Sequence, residues 1–280
     1  MIIGLYNLEP HIVNTALMQI STYHKSLGHT VEWYRHYNKW RYDKVYASSI
    51  FDFTPKVYIT DDMVCGGTGF NLTTKLPPEI EGCEYDYTLY PDCDYSIVWF
   101  SRGCIRNCPF CIVRMKEGFI YPVKPKNLNP TGSWIRVMDN NFFANPYWPI
   151  AIDQLKKWNQ PVQFEGVDVR IITDGQCKAL NSLTHKGRIH IAWDDPREDL
   201  TEHFEKMIQY IKPYKIMVYV LIGYWSTPDE DLLRVKIIDS YGMDPYAMPY
   251  NKSDPYQRRF ARWVNHKATF KSCEFKDYHG

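Results

Sequence analysis

Residues 95–111 read YSIVWFSRGCIRNCPFC and give the strongest indication of the fold. Their first part is an apolar run that predicts a buried β-strand. The run ends in a loop with three closely spaced cysteines, Cys104, Cys108 and Cys111. In α/β proteins the functional residues lie at the carboxyl ends of the strands, so this loop is the first candidate site.

The three cysteines predict an iron–sulfur cluster with one open coordination position. Each iron of a cubane cluster normally takes one thiolate, so three thiolates leave one iron for a ligand that is not protein. An open metal position favours catalysis, as it does in zinc enzymes. Gly103 before the loop and Pro109 within it allow the chain to curl around one cluster.

A zinc site is the alternative interpretation. Zinc needs a fourth ligand, and the candidates Cys93 and His185 lie at no recognisable zinc spacing from the loop. Non-catalytic binding of a cluster or of zinc, in a scaffold or a nucleic-acid-binding protein, therefore stays open beside an enzyme. The cysteines outside the loop are too dispersed to predict a second cluster: Cys65, Cys83, Cys93, Cys177 and Cys273.

The loop resembles the radical S-adenosylmethionine (SAM) superfamily. The pattern is C-x3-C-x2-C with an aromatic residue, Phe110, before the last cysteine, and residues 101–118 resemble members with a cobalamin-binding-like domain ahead of a barrel. The resemblance implies a 4Fe–4S cluster whose open iron is chelated by the methionine part of SAM. It also implies cleavage of SAM to a 5'-deoxyadenosyl radical, with a flavodoxin- or ferredoxin-type reductase as electron donor.

Length and composition predict the class of protein. A chain of 280 residues predicts about two domains, and 45% hydrophobic residues are typical of a globular protein. No apolar stretch approaches the ~20 residues of a membrane span, so we expect a soluble protein with no membrane partner. Residues 1–6 predict a first strand rather than a targeting peptide. The cysteine loop implies a reducing, cytoplasmic location, and a net charge of +1 gives no global attraction to nucleic acid.

Residues 1–93 predict a small α/β, Rossmann-like domain. A strand at 2–6, a helix at 14–27 that Asn14 caps, and a strand at 30–34 form a β-α-β opening. Further apolar segments follow at 45–51 and 57–60. The domain resembles a reduced form of the cobalamin-binding-like domain.

Cobalamin itself is not expected. The family signature for its lower ligand is D-x-H-x-x-G, whereas residues 9–14 read EPHIVN, so His11 is expected to be a surface or capping residue. Residues 66–70 read GGTGF and predict a turn, because the dinucleotide-binding arrangement of strand and helix is missing around them.

Residues 94–280 alternate between strand and helix patterns. The predicted strands are 95–100, 134–138, 162–169, 188–193, 215–223 and 246–249, and the predicted helices are 149–158, 174–185, 199–211, 228–241 and 254–266. Such alternation predicts a parallel sheet with right-handed crossovers. Because these β/α units are fewer than the eight of a closed barrel, we expect a partial (β/α)6 TIM-like barrel.

Polar residues follow two of these strands. Asp139 and Asn140 follow the second strand, where the family contacts the amino group of SAM, and a helix cap or turn is the alternative. Asp168 and Arg170 belong to the third-strand motif EGVDVR, which resembles the family's G-x-D-x-R. They are candidates for binding the ribose or the methionine carboxylate, and an ion pair between them is the alternative.

Two further residues, Ile222 and Phe110, complete the predicted cofactor site. Ile222 precedes Gly223 at the end of the fifth strand, where the backbone can approach adenine. Phe110 is expected to support the adenine, unless it belongs to the core. Asp194, after the fourth strand, is a candidate to face the cavity.

The substrate is the least defined part of the prediction. Residues 33–44 and 258–267 interleave basic and aromatic residues, a pattern that suits phosphate contact and base stacking. A nucleotide or nucleic-acid base is therefore a candidate substrate class for hydrogen abstraction, and small metabolites and peptides stay open as alternatives. The alternative for the second stretch is that Phe260, Trp263 and Val264 form the buried face of a helix.

Overall fold

The computed structural model describes all residues, Met1–Gly280, and has a mixed α/β architecture. The chain divides into two units. The first comprises Met1–Ser96, Pro109–Gly118 and Pro125–Gly132, and the second comprises Ile97–Cys108, Phe119–Lys124 and Ser133–Gly280. The sequence predicted a single boundary after residue 93. The first unit extends slightly further and includes two later segments, which a local sequence pattern does not reveal.

The first unit contains a parallel sheet. Its elements are β1 (Ile2–Asn7), α1 (Thr15–Ser26), β2 (Thr30–Trp33), β3 (Lys44–Ser48), β4 (Val64–Gly66), α2 (Pro78–Glu81) and α3 (Val113–Glu117). The strand order is β2-β1-β3-β4, with all neighbours parallel. This confirms the predicted β-α-β opening. The apolar segment at 57–60 is not a strand, and the last strand instead lies at the start of the glycine-rich stretch.

Local signals account for α1. The Asn14 side chain accepts a hydrogen bond from the Leu17 amide at 3.2 Å, and this satisfies one of the helix's unpaired donors. The chain leaves the helix at Gly28, whose φ of 75° suits glycine. The apolar face of α1 packs on β1, where Ile3 and Leu5 are fully buried.

The second unit contains most of the remaining strands and helices. Its strands are β5 (Tyr95–Val98, which begins in the first unit), β6 (Ser101–Arg102), β7 (Tyr121–Pro122), β8 (Trp134–Val137), β9 (Val162–Phe164), β10 (Ile189–Ala192), β11 (Ile216–Ile222) and β12 (Asp244–Pro249). Its helices are α4 (Trp148–Trp158), α5 (Asp174–Asn181), α6 (Thr201–Ile208), α7 (Pro228–Ser240), α8 (Pro255–Asn265) and α9 (Lys267–Ser272). Strands and helices alternate as the sequence predicted.

These strands form two three-stranded sheets, β5-β8-β9 and β10-β11-β12, and the short antiparallel pair β6-β7. The pairs β8-β9, β10-β11 and β11-β12 are parallel. A parallel bridge between Val167 and Ile191 connects β10 to the chain that follows β9. The predicted strand at 162–169 ends early, because the chain turns after Phe164 into a short 3-10 helix, Val169–Ile171.

The sequence explains the longer elements well. Strand β11 alternates buried and half-buried residues, and α7 begins with a capping box between Thr227 and Glu230. In α8, Phe260, Trp263 and Val264 are buried, which confirms the alternative interpretation of that basic and aromatic stretch. None of the helices combines the length and the apolar composition that crossing a membrane requires.

Candidate functional site

The cysteine loop follows β6. All three of its cysteines are half-buried and carry thiols rather than disulfides. Gly103 adopts a φ of 76°, and the Arg106 amide donates to the Cys104 sulfur at 3.3 Å. The structure brings no three His, Cys, Asp or Glu side chains together in an arrangement that could hold a metal ion. The cluster therefore stays a prediction from cysteine spacing.

Asp168 is the centre of a polar network at the end of β9. Its carboxylate accepts hydrogen bonds from the Arg106 side chain at 2.9 Å, the Arg170 side chain at 2.7 Å and the Asn141 amide at 3.2 Å. Burial alone would raise the pKa of Asp168, but Arg170 and then Arg106 outweigh it and lower the pKa. Because Arg106 lies between two of the loop cysteines, the network fastens the loop to the strand end.

The network continues through Arg170. Its guanidinium contacts Asp168 and also donates to Glu198 at 3.1 Å. Burial would lower the pKa of Arg170, but Asp168 and Glu198 raise it above its ordinary value. The ion pair between Asp168 and Arg170, which the sequence analysis kept as an alternative, is therefore present. Arg106 and Glu198 were not predicted from the sequence, although a basic residue inside the loop is a signal that could have been used.

Asn141 carries an acceptor that the protein does not satisfy. The side chain is 1% exposed, and its Oδ1 has no hydrogen-bond partner. Its amide nitrogen lies 3.2 Å from Asp168 and 4.0 Å from the Cys104 sulfur. Because an ionised carboxylate only accepts hydrogen bonds, the contact with Asp168 fixes which end of the amide carries nitrogen. The sequence pattern predicted a role for its neighbours Asp139 and Asn140 and not for Asn141.

Asp139, one of those neighbours, has a different environment. It is 1% exposed and accepts from the Phe100 amide at 2.8 Å and from the Ser101 hydroxyl at 2.5 Å. Burial raises its pKa to about 6, against the lowering effect of Ser101 and Phe100. Its two carboxylate oxygens thus hold the chain between β5 and β6. Asn140 is half-buried beside it.

A close backbone approach positions these residues. A Cβ at Gly166 would overlap the backbone of Asp139 and Asn140, so only glycine fits there. The Phe142 amide donates to the Gly166 carbonyl at 2.9 Å. The ends of β8 and β9 are therefore held in contact, and this brings Asn141 to Asp168.

The other predicted cofactor residues lie apart from this network. Ile222 is fully buried, and its carbonyl accepts from the Tyr250 amide at 3.1 Å. Its side chain therefore belongs to the core of the second unit. Phe110 is half-buried in the Pro109–Gly118 segment of the first unit.

Asp194 follows β10, and Arg234 of α7 contacts the ends of β10 and β11. Arg234 is 2% exposed and donates to the carbonyls of Trp193 at 2.8 Å and Leu221 at 2.9 Å, and to the Asp231 carboxylate at 2.7 Å. It thereby joins the two strand ends. Burial raises the pKa of Asp194 to about 6, although Arg170 and Arg234 partly oppose the shift.

The strand ends of the first unit are filled by the chain's own side chains. The Tyr90 hydroxyl accepts from the Asn14 amide at 3.1 Å and from the Asn7 side chain at 3.2 Å. Glu9 accepts from the Ser49 hydroxyl at 2.9 Å and the Ile50 amide at 3.0 Å. This edge, between β1 and β3, is where open α/β sheets bind ligands, and here protein groups occupy it.

Other sequence features of the first unit have structural roles. The stretch at 66–70 ends β4 and then turns, as predicted, and the Gly69 amide donates to the Ser49 carbonyl at 2.9 Å. His11 is exposed. The Cys93 thiol contacts the Tyr95 carbonyl at 3.3 Å.

No protein-family model matches this chain, and no curated protein sequence shows a significant similarity to it. The residues of the site are therefore the basis for any inference about function.

Replacing Asp194 with asparagine should stabilise the protein in a pH-dependent manner. With a pKa of about 6 in the folded state and ~3.9 in the unfolded chain, the carboxyl is protonated in both states below about pH 4. Above about pH 6 it is ionised in both states, and the cost of burying the charge is fully present. Asp194→Asn should raise the free energy of unfolding by about 1–3 kcal/mol at pH 7.5 and leave it unchanged near pH 4.

Urea unfolding at both pH values measures this effect. Asp195→Asn is the matched control, because Arg197 lowers the pKa of Asp195 and its replacement should not stabilise the protein. A gain of equal size at both pH values would contradict the argument.

Proposed function

We propose that this chain is a radical SAM enzyme that binds a 4Fe–4S cluster through Cys104, Cys108 and Cys111. The observation that carries the proposal is the C-x3-C-x2-C loop after β6, together with the unsatisfied acceptor of Asn141 close to the Cys104 sulfur. When bound, the cluster supplies the single electron that cleaves SAM to the 5'-deoxyadenosyl radical, which then removes hydrogen from an unactivated carbon.

The arrangement of the second unit supports this proposal. Strands β5, β8 and β9 form one sheet, β10, β11 and β12 form the next, and both follow chain order. The bridge between Val167 and Ile191 links them. We propose that they form a splayed partial barrel, with its binding edge at the carboxyl ends of the strands.

Asn141 is the residue we propose for the amino group of SAM. Its buried Oδ1 needs a donor, and an ammonium group supplies one. This role was predicted for Asp139 and Asn140, but the two carboxylate oxygens of Asp139 accept hydrogen bonds from Phe100 and Ser101. Asn140 remains a neighbour of the proposed binding edge.

Asp168 and Arg170 are proposed to position the loop rather than to bind the ribose. Their charged groups bond to each other, to Arg106 and to Glu198, so little hydrogen-bonding capacity is left for a cofactor. A fixed loop is what a site with one open metal position requires, because the ligands must not rearrange when the cofactor binds.

Cobalamin is not part of the proposal. Tyr90 and Glu9 fill the strand ends of the first unit with internal hydrogen bonds. We propose a reducing, cytoplasmic location and a flavodoxin- or ferredoxin-type electron donor, as the radical SAM resemblance implies.

Anaerobic reconstitution tests the proposed function. The full-length protein is incubated with iron and sulfide, and bound iron, sulfide and zinc are then measured. After addition of dithionite and SAM, 5'-deoxyadenosine is quantified by mass spectrometry. The proposal requires about four irons per chain and formation of this product. Iron without the product would favour a non-catalytic cluster protein, and zinc alone would favour a structural zinc site.

Asp168→Asn should loosen the cysteine loop without removing a cysteine. Asparagine keeps the shape but loses the charge that holds Arg106 and Arg170. Groups that support metal ligands typically contribute 10- to 100-fold, so we expect iron release to a chelator to become about 10- to 100-fold faster. Asp195→Asn, which removes an equivalent pairing with Arg197, is the control. Equal release rates in wild type and Asp168→Asn, at equal thermal stability, would exclude the positioning role.

A further inference from the structure

One face of the second-unit strands is lined by half-buried polar and aromatic side chains. Along β10 and β11, alternate residues are buried, and the residues between them are half-buried. Half-buried side chains retain contact with solvent, so this alternation in burial indicates a second face that is only partly covered. The half-buried residues of interest are His190, Tyr219 and Tyr246, together with Arg136 and Glu165.

Three aromatic rings form a row on neighbouring strands. Tyr219 of β11 lies opposite Tyr246 of β12 in the register, with ring centroids 5.4 Å apart and planes at 85°. The His190 ring of β10 lies 5.2 Å from that of Tyr219. We call these three side chains the ring surface. Because its two tyrosines are nearly perpendicular, a flat ligand can stack on one and meet the edge of the other.

The ring surface also carries unused hydrogen-bonding capacity. The Nδ1 atom of His190 is buried and has no hydrogen-bond partner. Burial lowers the pKa of His190, and Arg188 and Arg136 lower it further against the effect of Glu165. The imidazole is therefore neutral at neutral pH. A buried polar atom without a partner costs free energy, so a ligand that bonds to it gains affinity.

The charged groups around the ring surface are all paired. Arg136 pairs with Glu165 at 2.7 Å, and Asp244 pairs with both Arg188 at 2.5 Å and Lys267 at 2.7 Å. The one excess positive charge therefore lies at Asp244, at the start of β12, whereas the pair Arg136–Glu165 that acts on His190 and Tyr219 is neutral. The chemistry of the ring surface suits a neutral, planar ring with hydrogen-bonding edges.

We propose that the ring surface binds a nucleobase, which is the part of the substrate that this enzyme recognises. The base stacks on Tyr219 or Tyr246, and its polar edge bonds to His190 and to the pair Arg136–Glu165. The base comes either from a free nucleoside or from a single-stranded nucleic acid. The conclusion that the base is part of the substrate rests on the proposed function. Binding of the base to the ring surface can be measured independently of that function.

Titration of the full-length protein with nucleosides tests the proposal. Adenosine, guanosine, cytidine and uridine are each titrated by calorimetry, and a short single-stranded oligonucleotide is titrated in parallel. Because SAM contains adenine, every titration is repeated with saturating SAM. We expect binding of at least one base that persists with SAM. Binding of nucleosides or only of the oligonucleotide supports the proposal and identifies the source of the base.

Variants connect the binding to the ring surface. Loss of base stacking typically weakens binding by about tenfold or more, so Tyr219→Ala and Tyr246→Ala should each do so. Tyr219→Phe keeps the ring and should retain most of the affinity, which excludes misfolding as the cause. Tyr214→Ala, at an exposed tyrosine of the same unit, is the control and should bind like wild type.

Three results would overturn the proposal. They are no binding of any nucleoside or oligonucleotide by wild type, loss of all binding when SAM is present, and wild-type affinity in both alanine variants. Failure of the proposed function gives a different result. In that case the reconstituted wild-type protein binds no iron or forms no 5'-deoxyadenosine, regardless of the calorimetric result.

Discussion

Cys104→Ser is expected to lower the iron content of reconstituted protein from about four per chain to background and to abolish 5'-deoxyadenosine formation. A thiolate is the ligand that iron–sulfur clusters require, and a serine hydroxyl does not ionise at neutral pH to replace it. Cys104 is also the loop cysteine whose sulfur lies 4.0 Å from Asn141. Its loss would therefore remove both a cluster ligand and a neighbour of the proposed SAM contact.

Cys273→Ser is the matched control for this variant. Cys273 is half-buried in the second unit, its thiol contacts only the Thr269 carbonyl at 3.6 Å, and it lies outside the loop. The control should keep the iron, sulfide and product yield of wild type. If Cys104→Ser retained a full cluster, or if both variants lost it equally, the assignment of the ligands would be wrong. Iron and sulfide assays with anaerobic product analysis give the readout.

Arg234→Met should produce the largest loss of stability of any single substitution considered. The guanidinium is 2% exposed and satisfies two strand-end carbonyls as well as the carboxylate of Asp231, which is fully buried. Removing one partner of a buried ion pair leaves an uncompensated charge, so we expect the free energy of unfolding to fall by about 3–5 kcal/mol. Chemical denaturation followed by circular dichroism measures this change.

Two further variants identify the cause of that loss. Arg197→Met removes an exposed arginine that pairs with Asp195, and it should cost at most about 1 kcal/mol. The double variant Arg234→Met with Asp231→Leu removes both buried charges, and it should recover part of the stability lost in the single variant. An equal loss in the single and double variants would mean that the contacts with Trp193 and Leu221, rather than the unpaired charge, dominate.

Elements with strong local signals were predictable from the sequence. The alternation in β11 and the capping residues Asn14 and Thr227 determine the local conformation, and their elements lie within a few residues of the prediction. Strand β4 was missed because it has only three residues, one of them a glycine of low strand propensity, and because its partner strand is not adjacent in the chain. The early end of β9 depends on Gly166, whose close contact with the preceding strand end is a tertiary feature.

The position of the site was predictable from the sequence, but the hydrogen bonds and ion pairs between its residues were not. The loop cysteines and Asp168 stand out as residue types at strand ends, which a sequence pattern reveals. Arg106 reaches Asp168 across 62 positions, and no local pattern encodes such a contact. In the same way, the run at 138–141 shows three polar residues, but only packing determines that Asp139 bonds to the backbone while Asn141 retains an unsatisfied atom.

The position of Tyr90 has a consequence for how the first unit folds. A protein that binds a ligand in a crevice gains stability with the logarithm of the free ligand concentration above Kd, so its folded population depends on the cellular concentration of the ligand. Here a phenol oxygen already satisfies the Asn14 amide and the Asn7 side chain. We therefore expect the folded population of this unit to be independent of the cobalamin or nucleotide concentration in the cell.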